Sequence, residues 1–575
     1  SEKLMNKDLT KKQRNSFVDR ILRCFSVCFW IQGCNAPQVE GFTASIKLKP
    51  DAVGKCQQPF KLSAYDQYRV EVHEDVLIAE GKAEWAPPGM ALAFASPTFV
   101  VDQEGKGLLG RPVHDYRYLN TSTLDCAWNS AEVDECLKRV QAGWYNTSLD
   151  CVWGFNQIPV DEETSKLMAL VTRRGIMLPR CLFFGPKQGP GIFQSFVDTV
   201  FRGIRDEDGE EFLSIFVDDC NISTPRRKGE TEDQTFERHL QHLEQFLKTA
   251  KHRKGQFKLD KAKFAHASIP ILGFEAGRGK RRVAPGKSQA LKDWPEPTSK
   301  EDVCSFRAFA NFNREFLPTF LYWDQYLKEM TKKGANFETW WKLDTSKRAF
   351  QELRKAMEVE IEFYLPDYNA AAEEGGPQPL ELFVDACDYG WGATLAQRIS
   401  PNGPRRPICC YSKSFSKTEQ CWSTFEREFC GLRDALRAVE HLTKGFPLIC
   451  YTDHKNNLFT DSLVGGKKIQ KKLVRWSLEV DAMTSKVIRV WLKGGDNILG
   501  DAPSRNPKGR DAAREAALPC GPVHRIVEWM FANPDSEEER QQRERFLREM
   551  DKGCLLYTSD AADEGLGVDL GGRRI

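Results

Sequence analysis

Four short apolar runs in this chain end in aspartate. Ser148-Leu149 leads into Asp150, and Leu213-Ser214-Ile215-Phe216-Val217 leads into Asp218-Asp219. Leu380-Glu381-Leu382-Phe383-Val384 leads into Asp385, and Leu448-Ile449-Cys450-Tyr451 leads toward Asp453. A β-strand buries such a run well, but an ionised carboxylate at its end is costly to bury unless a cation or hydrogen bond meets it. The chain must therefore cover its strands while leaving their acidic ends at accessible edges. The first three acids lie far from the others in a chain of 575 residues, which is long enough for several domains.

Hydrophobic residues make up 41% and charged residues 29%, a balance that suits a soluble globular chain with several cores. No uninterrupted apolar run reaches the roughly 18 residues of a membrane span. The apolar stretch 24–33 reads as a buried helix rather than a signal peptide, because Lys and Asp precede it without a cleavage pattern. A net charge of +2 does not mark a nucleic-acid binder, yet residues 248–292 hold 13 Lys or Arg against Asp260 and Glu275. That density of one sign suits a phosphate backbone, and it equally suits a solvated face. The 18 cysteines show no CxxC pair and no zinc spacing, which implies reduced thiols in an intracellular protein that is neither secreted nor membrane-bound.

Residues 1–42 carry no readable motif. Farther on, Phe236, Leu240, Leu243, Phe246 and Leu247 form the apolar stripe of a helix over 236–250. Residues 368–379 have linker composition. From Leu380 to about 506 the pattern reads strand, turn, strand, strand, helix, strand, helix, strand, helix. Charged helix-forming sequence follows to 553. Residues 554–575 suit no packed element and resemble an in-frame translation of a sequencing adapter, so they are expected to play no part in the fold.

An Asp-Asp pair at a strand end is by itself more often a turn or a cap. Joined to Asp150 from another strand, it is also what nucleotidyl transfer requires: carboxylates holding two divalent ions about 3.5–4 Å apart. Oxygen-only ligands select Mg²⁺ or Mn²⁺ over zinc. The surrounding order is Arg111-Pro112-Val113-His114-Asp115-Tyr116-Arg117, Leu149-Asp150 with Gly154-Phe155-Asn156-Gln157, Phe183-Phe184-Gly185-Pro186-Lys187-Gln188-Gly189-Pro190, Phe216-Val217-Asp218-Asp219, and Leu272-Gly273-Phe274. This ordered set resembles the reverse transcriptases of gypsy-type long-terminal-repeat retrotransposons, from about residue 43 to 506. The resemblance implies that Asp150, Asp218 and Asp219 hold the polymerase metals. It also implies that Arg111 meets the incoming triphosphate, that Phe155 lies under its sugar, and that Gln188 lies in the segment lining the nucleotide pocket. Five residues after Asp150, Phe155 is expected to exclude a 2′-hydroxyl, the alternative being a ring that only packs the palm. Three positions depart from the family: Phe216 replaces the usual Tyr, Gln188-Gly189-Pro190 replaces Asn-Ala-Pro, and Asp102-Gln103-Glu104-Gly105 replaces a lysine-bearing turn.

In the second group, Asp385, Glu428, Asp453 and Asp501 come from two strand ends and two helices. Each alone reads as a surface acid. Together they would repel one another unless metal ions bound, and two-metal phosphodiester hydrolysis is the economical use. With Tyr411-Ser412-Lys413-Ser414-Phe415-Ser416 and Glu426-Arg427-Glu428, they resemble the ribonuclease H of the same retroelements. That match assigns the catalytic role to Glu428 and leaves Glu426 facing solvent. Residues 294–316 resemble the family's connection region, whose aromatics are expected to be mostly core, with a minority stacking on nucleic acid.

The resemblance thus implies an α+β right-hand polymerase (fingers, palm, thumb), a connection region and an α/β ribonuclease H domain. The expected segments are 1–42 unassigned, 43–245 fingers and palm, 246–286 basic palm end and thumb, 287–379 thumb, connection and linker, 380–507 ribonuclease H, 508–553 a charged helical tail, and 554–575 foreign. The implied activity copies a retroelement RNA into DNA and degrades the RNA of the hybrid, with two Mg²⁺ or Mn²⁺ ions in each site. Implied partners are RNA template, DNA primer, RNA–DNA hybrid and deoxynucleoside triphosphates, and a homodimer is left open. Lys254, Lys258, Lys261, Lys263, Lys467, Lys468, Lys471 and Lys472 are expected to contact nucleic-acid backbone. The expected location is a cytoplasmic particle or the nucleus. A non-catalytic nucleic-acid-binding relic, or a ribonuclease with a damaged polymerase half, are the alternatives.

Overall fold

The acid-tipped runs form strands, and their pairing partners decide where the acids go. The computed structural model describes residues 4–30, 38–102, 109–126, 133–152, 154–201, 203–216, 218–317, 319–356, 361–372, 378–400, 403–458, 471–483, 487–492, 497 and 499–500. The chain divides into two units, one of residues 1–272 with 276–279, the other of 273–275 with 280–575. The basic stretch 246–286 is split between units, and residues on both sides of the linker composition at 368–379 share one unit.

The first unit begins with β1 (Lys55–Cys56), α1 (Ala64–Ala79), β2 (Ala83–Trp85), β3 (Phe94–Val101) and β4 (Arg111–His114). It continues through α2 (Val133–Ala142), β5 (Gly143–Asp150), β6 (Leu170–Thr172), β7 (Gly175–Pro179) and α3 (Gly189–Phe201). After these come β8 (Leu213–Phe216), β9 (Asp219–Pro225), α4 (Glu232–His252) and β10 (Lys263–His266). One sheet runs β1-β3-β6-β7-β2, with β4 paired to β3, and forms the fingers. The palm sheet runs β10-β5-β9-β8.

Helix α4 starts where Thr231 and Gln234 form a reciprocal capping box. Its buried residues include the whole expected stripe of Phe236, Leu240, Leu243, Phe246 and Leu247. Two histidines on the same helix are buried with them. Thr147 Oγ1 of β5 and Thr224 Oγ1 of β9 bracket His239, each 2.8 Å from a ring nitrogen. Thr224 also meets His242, whose ring stacks on Phe212 at 4.1 Å.

The N-terminal segment is part of this unit, contrary to its unassigned status in the sequence. Thr10 caps the helix Lys11–Phe17, and Phe17, Ile21, Cys28 and Phe29 are buried. Phe17 and Phe29 both pack on Phe264. The stretch from Cys24 is not one buried helix: a single 3-10 turn, Ser26–Cys28, is followed by the strand Phe29–Trp30, which pairs parallel with Phe257–Lys258.

The second unit contains helices α5 (Lys300–Phe312), α6 (Phe320–Met330) and α7 (Asp344–Ala356). Their aromatics are mostly core, as expected: Phe306 and Phe350 pack at 4.5 Å and Trp323 is buried, while Phe312 is exposed beneath the ammonium of Lys287. A five-stranded sheet follows, built from β11 (Leu380–Ala386), β12 (Gly390–Arg398), β13 (Arg405–Ser414), β14 (Leu448–Thr452) and β15 (Val487–Trp491) in the order β13-β12-β11-β14-β15. Between β13 and β14 lies α8 (Thr424–Thr443), and α9 (Lys471–Met483) precedes β15. This is the succession expected from the sequence as far as β15; the final helix expected from Asp501 lies outside the described residues.

Every residue of β11 is buried. Besides the site acid Asp385, the strand carries one more charge, Glu381, which is paired with Arg398 at 3.2 Å and Arg405 at 2.5 Å, both buried. Those two guanidinium groups hold its carboxyl below the ordinary range against the opposing effect of burial.

Burial gives the histidines of α4 a pH consequence. It pushes His242 from 6.5 down to about 4 and His239 well below its ordinary value. A histidine with a depressed folded pKa is protonated more readily in the unfolded chain, so its stabilising contribution is complete above 6.5 and is lost as pH falls through 4. Thermal unfolding of the first unit is therefore expected to shift to lower temperature between pH 6.5 and 4. An unfolding temperature that does not move across that interval would contradict the buried neutral pair.

Candidate active sites

In the palm, register brings the acids together. Antiparallel pairing of β5 with β9 sets Asp150 opposite Asp219 and Leu149 opposite Cys220. The backbone N–H of Cys151 donates to the Asp218 carbonyl at 3.1 Å, extending the ladder one step past the strand. A β-carbon at Gly154 would overlap the Asp218 carboxylate, so glycine is what leaves that carboxylate its place. Asp218 Oδ1 is buried without a hydrogen-bond partner. An orphaned anionic oxygen is an acceptor suited to a cation.

Burial and then the neighbouring Asp150 push Asp218 up to about 6, while Lys258 and Arg111 act the other way. Asp219 is raised by the same two causes. Asp150 is held differently, with the Lys258 ammonium 2.9 Å from one oxygen and that of Lys261 3.5 Å from the other. Lys258 and Lys261 thus sit on a site carboxylate, with Lys261 still exposed. Lys254 pairs with Glu40, and Lys263 is a strand residue opposite Ser148.

The three expected nucleotide contacts fare unequally. Arg111 is exposed on β4, with its guanidinium over Phe184 and close enough to act on Asp218. Phe155 is buried, its ring 4.7 Å from Phe184 and 5.2 Å from Phe193. Gln188 is buried with its amide occupied: it accepts from Lys47 N–H at 3.0 Å and donates to the carbonyls of Lys47 and Leu124. These three bonds tie the amide of Gln188 to the backbone of Lys47 and Leu124.

In the second unit, Asp385, Glu428 and Asp453 each place a carboxylate oxygen within 4.8 Å of the others. Among the described residues this is the one group of three that converges so closely. Parallel pairing of β11 with β14 aligns Val384 with Thr452 and so sets the two aspartates side by side, each one residue further along its strand. Helix α8 supplies Glu428. A β-carbon at Gly431 would come within 3.0 Å of Trp391 and 3.3 Å of Ala386, so glycine permits the close approach of that helix. The Asp453 backbone is anchored by the Trp491 indole N–H, which donates to its carbonyl at 3.0 Å, and His454 stacks on Phe425 of α8 at 5.7 Å. Asp501, the fourth expected acid, lies outside the described residues, as do Lys467 and Lys468.

One expectation here is corrected. Glu426 does not face solvent: it is 8% exposed, completes the α8 capping box with Ser423, and pairs with Lys472 at 2.7 Å. The ammonium of Lys472 also lies 3.9 Å from the Trp422 ring centre and 4.9 Å from that of Trp476. Charge and ring faces together tie α9 to the start of α8. Lys471 alone of the four is both described and exposed.

Residues 109–276 match the family described as reverse transcriptase (RNA-dependent DNA polymerase), and residues 377–483 match the RNase H-like domain found in reverse transcriptase. The retrovirus-related Pol polyprotein from transposon gypsy of Drosophila melanogaster is 27% identical over 431 residues, covering 72% of this chain and 38% of its own length. That from transposon opus is 25% identical over 492 residues, covering 82% of this chain and 46% of its own length. The enzymatic polyprotein of cauliflower mosaic virus (strain NY8153) is 24% identical over 470 residues, covering 80% and 64%. The chain spans less than half the length of the two transposon polyproteins. In fold it is similar to the foamy viral protease-reverse transcriptase in complex with dsDNA, with TM-score 0.68 and 18% identity over 86% of this chain and 96% of that one. The same viral protein in complex with RNA/DNA hybrid gives TM-score 0.64 and 17% identity, over 89% and 64%.

The two glutamates of α8 separate by substitution. Glu428→Gln removes a charge from the converging acids and should weaken Mn²⁺ binding to the second unit at least tenfold, roughly the lower scale for disrupting a metal site. Glu426→Gln breaks the Lys472 pair and should lower stability by about 1 kcal/mol with metal binding retained. Calorimetric titration with Mn²⁺ checks both, and the reverse pattern would move the metal site to Glu426.

Proposed function

We propose that this chain, which carries a reverse transcriptase domain and an RNase H-like domain, copies RNA into DNA and then cuts the RNA strand of the hybrid. The observation that supports this most is the presence of two separate acid clusters, each assembled at strand ends in its own unit. The foamy viral neighbour was solved with an RNA/DNA hybrid, the substrate this reading assigns to the second unit. The setting proposed is inside the cell, in a cytoplasmic particle or the nucleus.

Asp150, Asp218 and Asp219 would hold divalent ions in the palm, and Asp385, Glu428 and Asp453, with Asp501, would hold them in the second unit. Both sets are oxygen-only, which favours Mg²⁺ or Mn²⁺. When bound, such ions activate the attacking oxygen and stabilise the leaving group of phosphoryl transfer. Arg111, exposed beside the palm acids, would bind the triphosphate of an incoming deoxynucleotide. Lys258 and Lys261 offset the charge of Asp150, which limits repulsion when a triphosphate approaches. Phe155 would restrict the space beside the sugar, with Phe184 and Phe193 keeping its ring from yielding. Exposed Lys261 and Lys471, and the basic chain near Lys263, would meet template and primer backbone.

Primer extension and hybrid cleavage, measured on one preparation with Mg²⁺ and with Mn²⁺, test the proposal. Asp218→Asn should abolish extension and leave cleavage. If a folded Asp218→Asn protein loses both, the two-site reading fails. Absence of extension in the unaltered protein, with cleavage present, would leave a ribonuclease alone.

Phe155→Val should raise ribonucleotide relative to deoxynucleotide incorporation and, because the ring is buried, lower stability by roughly 1–3 kcal/mol. An unchanged incorporation ratio would reduce Phe155 to a packing residue.

A further inference from the structure

The palm acids have two thiols as immediate neighbours. Cys151 follows Asp150 and Cys220 follows Asp219, and their Sγ atoms are 3.9 Å apart. Cys220 pairs with Leu149, and Cys151 lies two residues beyond Leu149, so both thiols occupy one face of the ladder as diagonal neighbours. The line between them crosses the rung formed by Asp150 and Asp219. Cys151 is half-buried and reachable from solvent, whereas Cys220 is buried. Neither thiol has a part in metal holding or nucleotide binding as described above.

We propose that Cys151 and Cys220 are a modification site, a dithiol that a peroxide converts to a disulfide, and that this bond shuts the palm site. The Cys151 sulfur attacks one peroxide oxygen; an S–O bond forms, the O–O bond breaks, and the leaving oxygen departs as water with the thiol proton. The Cys220 sulfur then attacks the resulting sulfenic acid; the S–S bond forms, the S–O bond breaks, and the second oxygen leaves as water with the second thiol proton. Two thiols are oxidised by two electrons in total, and one peroxide is reduced to two waters.

Diagonal neighbours on paired strands lie about 7–8 Å apart, beyond the roughly 7 Å between Cα atoms that a disulfide spans without backbone movement. Closing the sulfur separation from 3.9 Å to about 2.05 Å therefore draws the two strands together. Backbone that moves there carries Asp150 and Asp219 with it. A displacement on the order of 1 Å at reacting groups lowers a rate by about a hundredfold. The effect on catalysis rests on the polymerase reading; formation of the bond does not.

The test treats the full chain with hydrogen peroxide, maps disulfides by mass spectrometry of non-reduced peptides, and follows primer extension in parallel. The expected result is a linked Cys151–Cys220 peptide and about a hundredfold loss of extension, both reversed by a dithiol reductant. Cys151→Ser and, separately, Cys220→Ala should lack the linked peptide and lose less than about threefold of their own starting extension on peroxide treatment, well short of the hundredfold loss tied to displaced acids. Absence of the linked peptide from the oxidised unaltered protein overturns the proposal. So does equal peroxide sensitivity in the Cys151→Ser protein, which would trace the loss to exposed thiols such as Cys24, Cys56 or Cys126. A protein that forms the linked peptide but shows no extension before oxidation upholds the modification site and contradicts the polymerase reading instead.

Discussion

The rung that pairs Asp150 with Asp219 is the constraint on which the palm depends. Side chains alternate along a strand, so a slip of one residue would exchange the two packed faces of β9 and carry Asp219 away from Asp150. Burial enforces the register. Cys220, Ile222, Ser223 and Thr224 of β9 are all buried, and Thr147 and Thr224 are tied through His239 to helix α4. The acids are held by the core beneath them, with no direct bond between them needed. Their mutual repulsion is one reason that Asp218 stays near 6 rather than in the ordinary carboxylate range.

The second unit solves the same problem with a different ladder. Parallel neighbours β11 and β14 point the same way, so consecutive ends of two strands deliver Asp385 and Asp453 together. The third acid comes from a helix and depends on how closely that helix approaches, which Gly431 permits. Both sites therefore combine strand-end acids with a glycine whose missing side chain makes room, Gly154 in one case and Gly431 in the other.

What the sequence made legible were features with a periodic or an ordered signature. The α4 stripe, the succession of elements from Leu380 to β15, and the strand ends and helix that carry six of the seven expected acids lie where expected, Asp501 and the helix it was to open being outside the described residues. Pairing across long separations was not legible. Nothing local marks Gln188 as a fastener of Lys47 and Leu124, Glu426 as the partner of Lys472, or Lys258 as the partner of Asp150. Each of these polar side chains met its partner only when the chain folded, and a polar residue read alone looks free. The N-terminal segment was missed for the related reason that Phe17, Ile21 and Phe29 show no clean period. They pack on Phe264, which is distant in sequence.

The parallel pairing of β11 with β14 also bears on how the chain is made. A ribosome delivers β11, β12 and β13 first, and these three can pair as soon as they emerge, because antiparallel neighbours need only short connections. The other edge of β11 must wait for α8 to be synthesised and for β14 to follow it. During that interval a largely apolar strand, with Glu381 already caged by Arg398 and Arg405, presents an unpaired row of backbone donors and acceptors. Nascent chains held between about residues 415 and 447 are thus the ones with an open sheet edge, and chaperone engagement during translation would concentrate there.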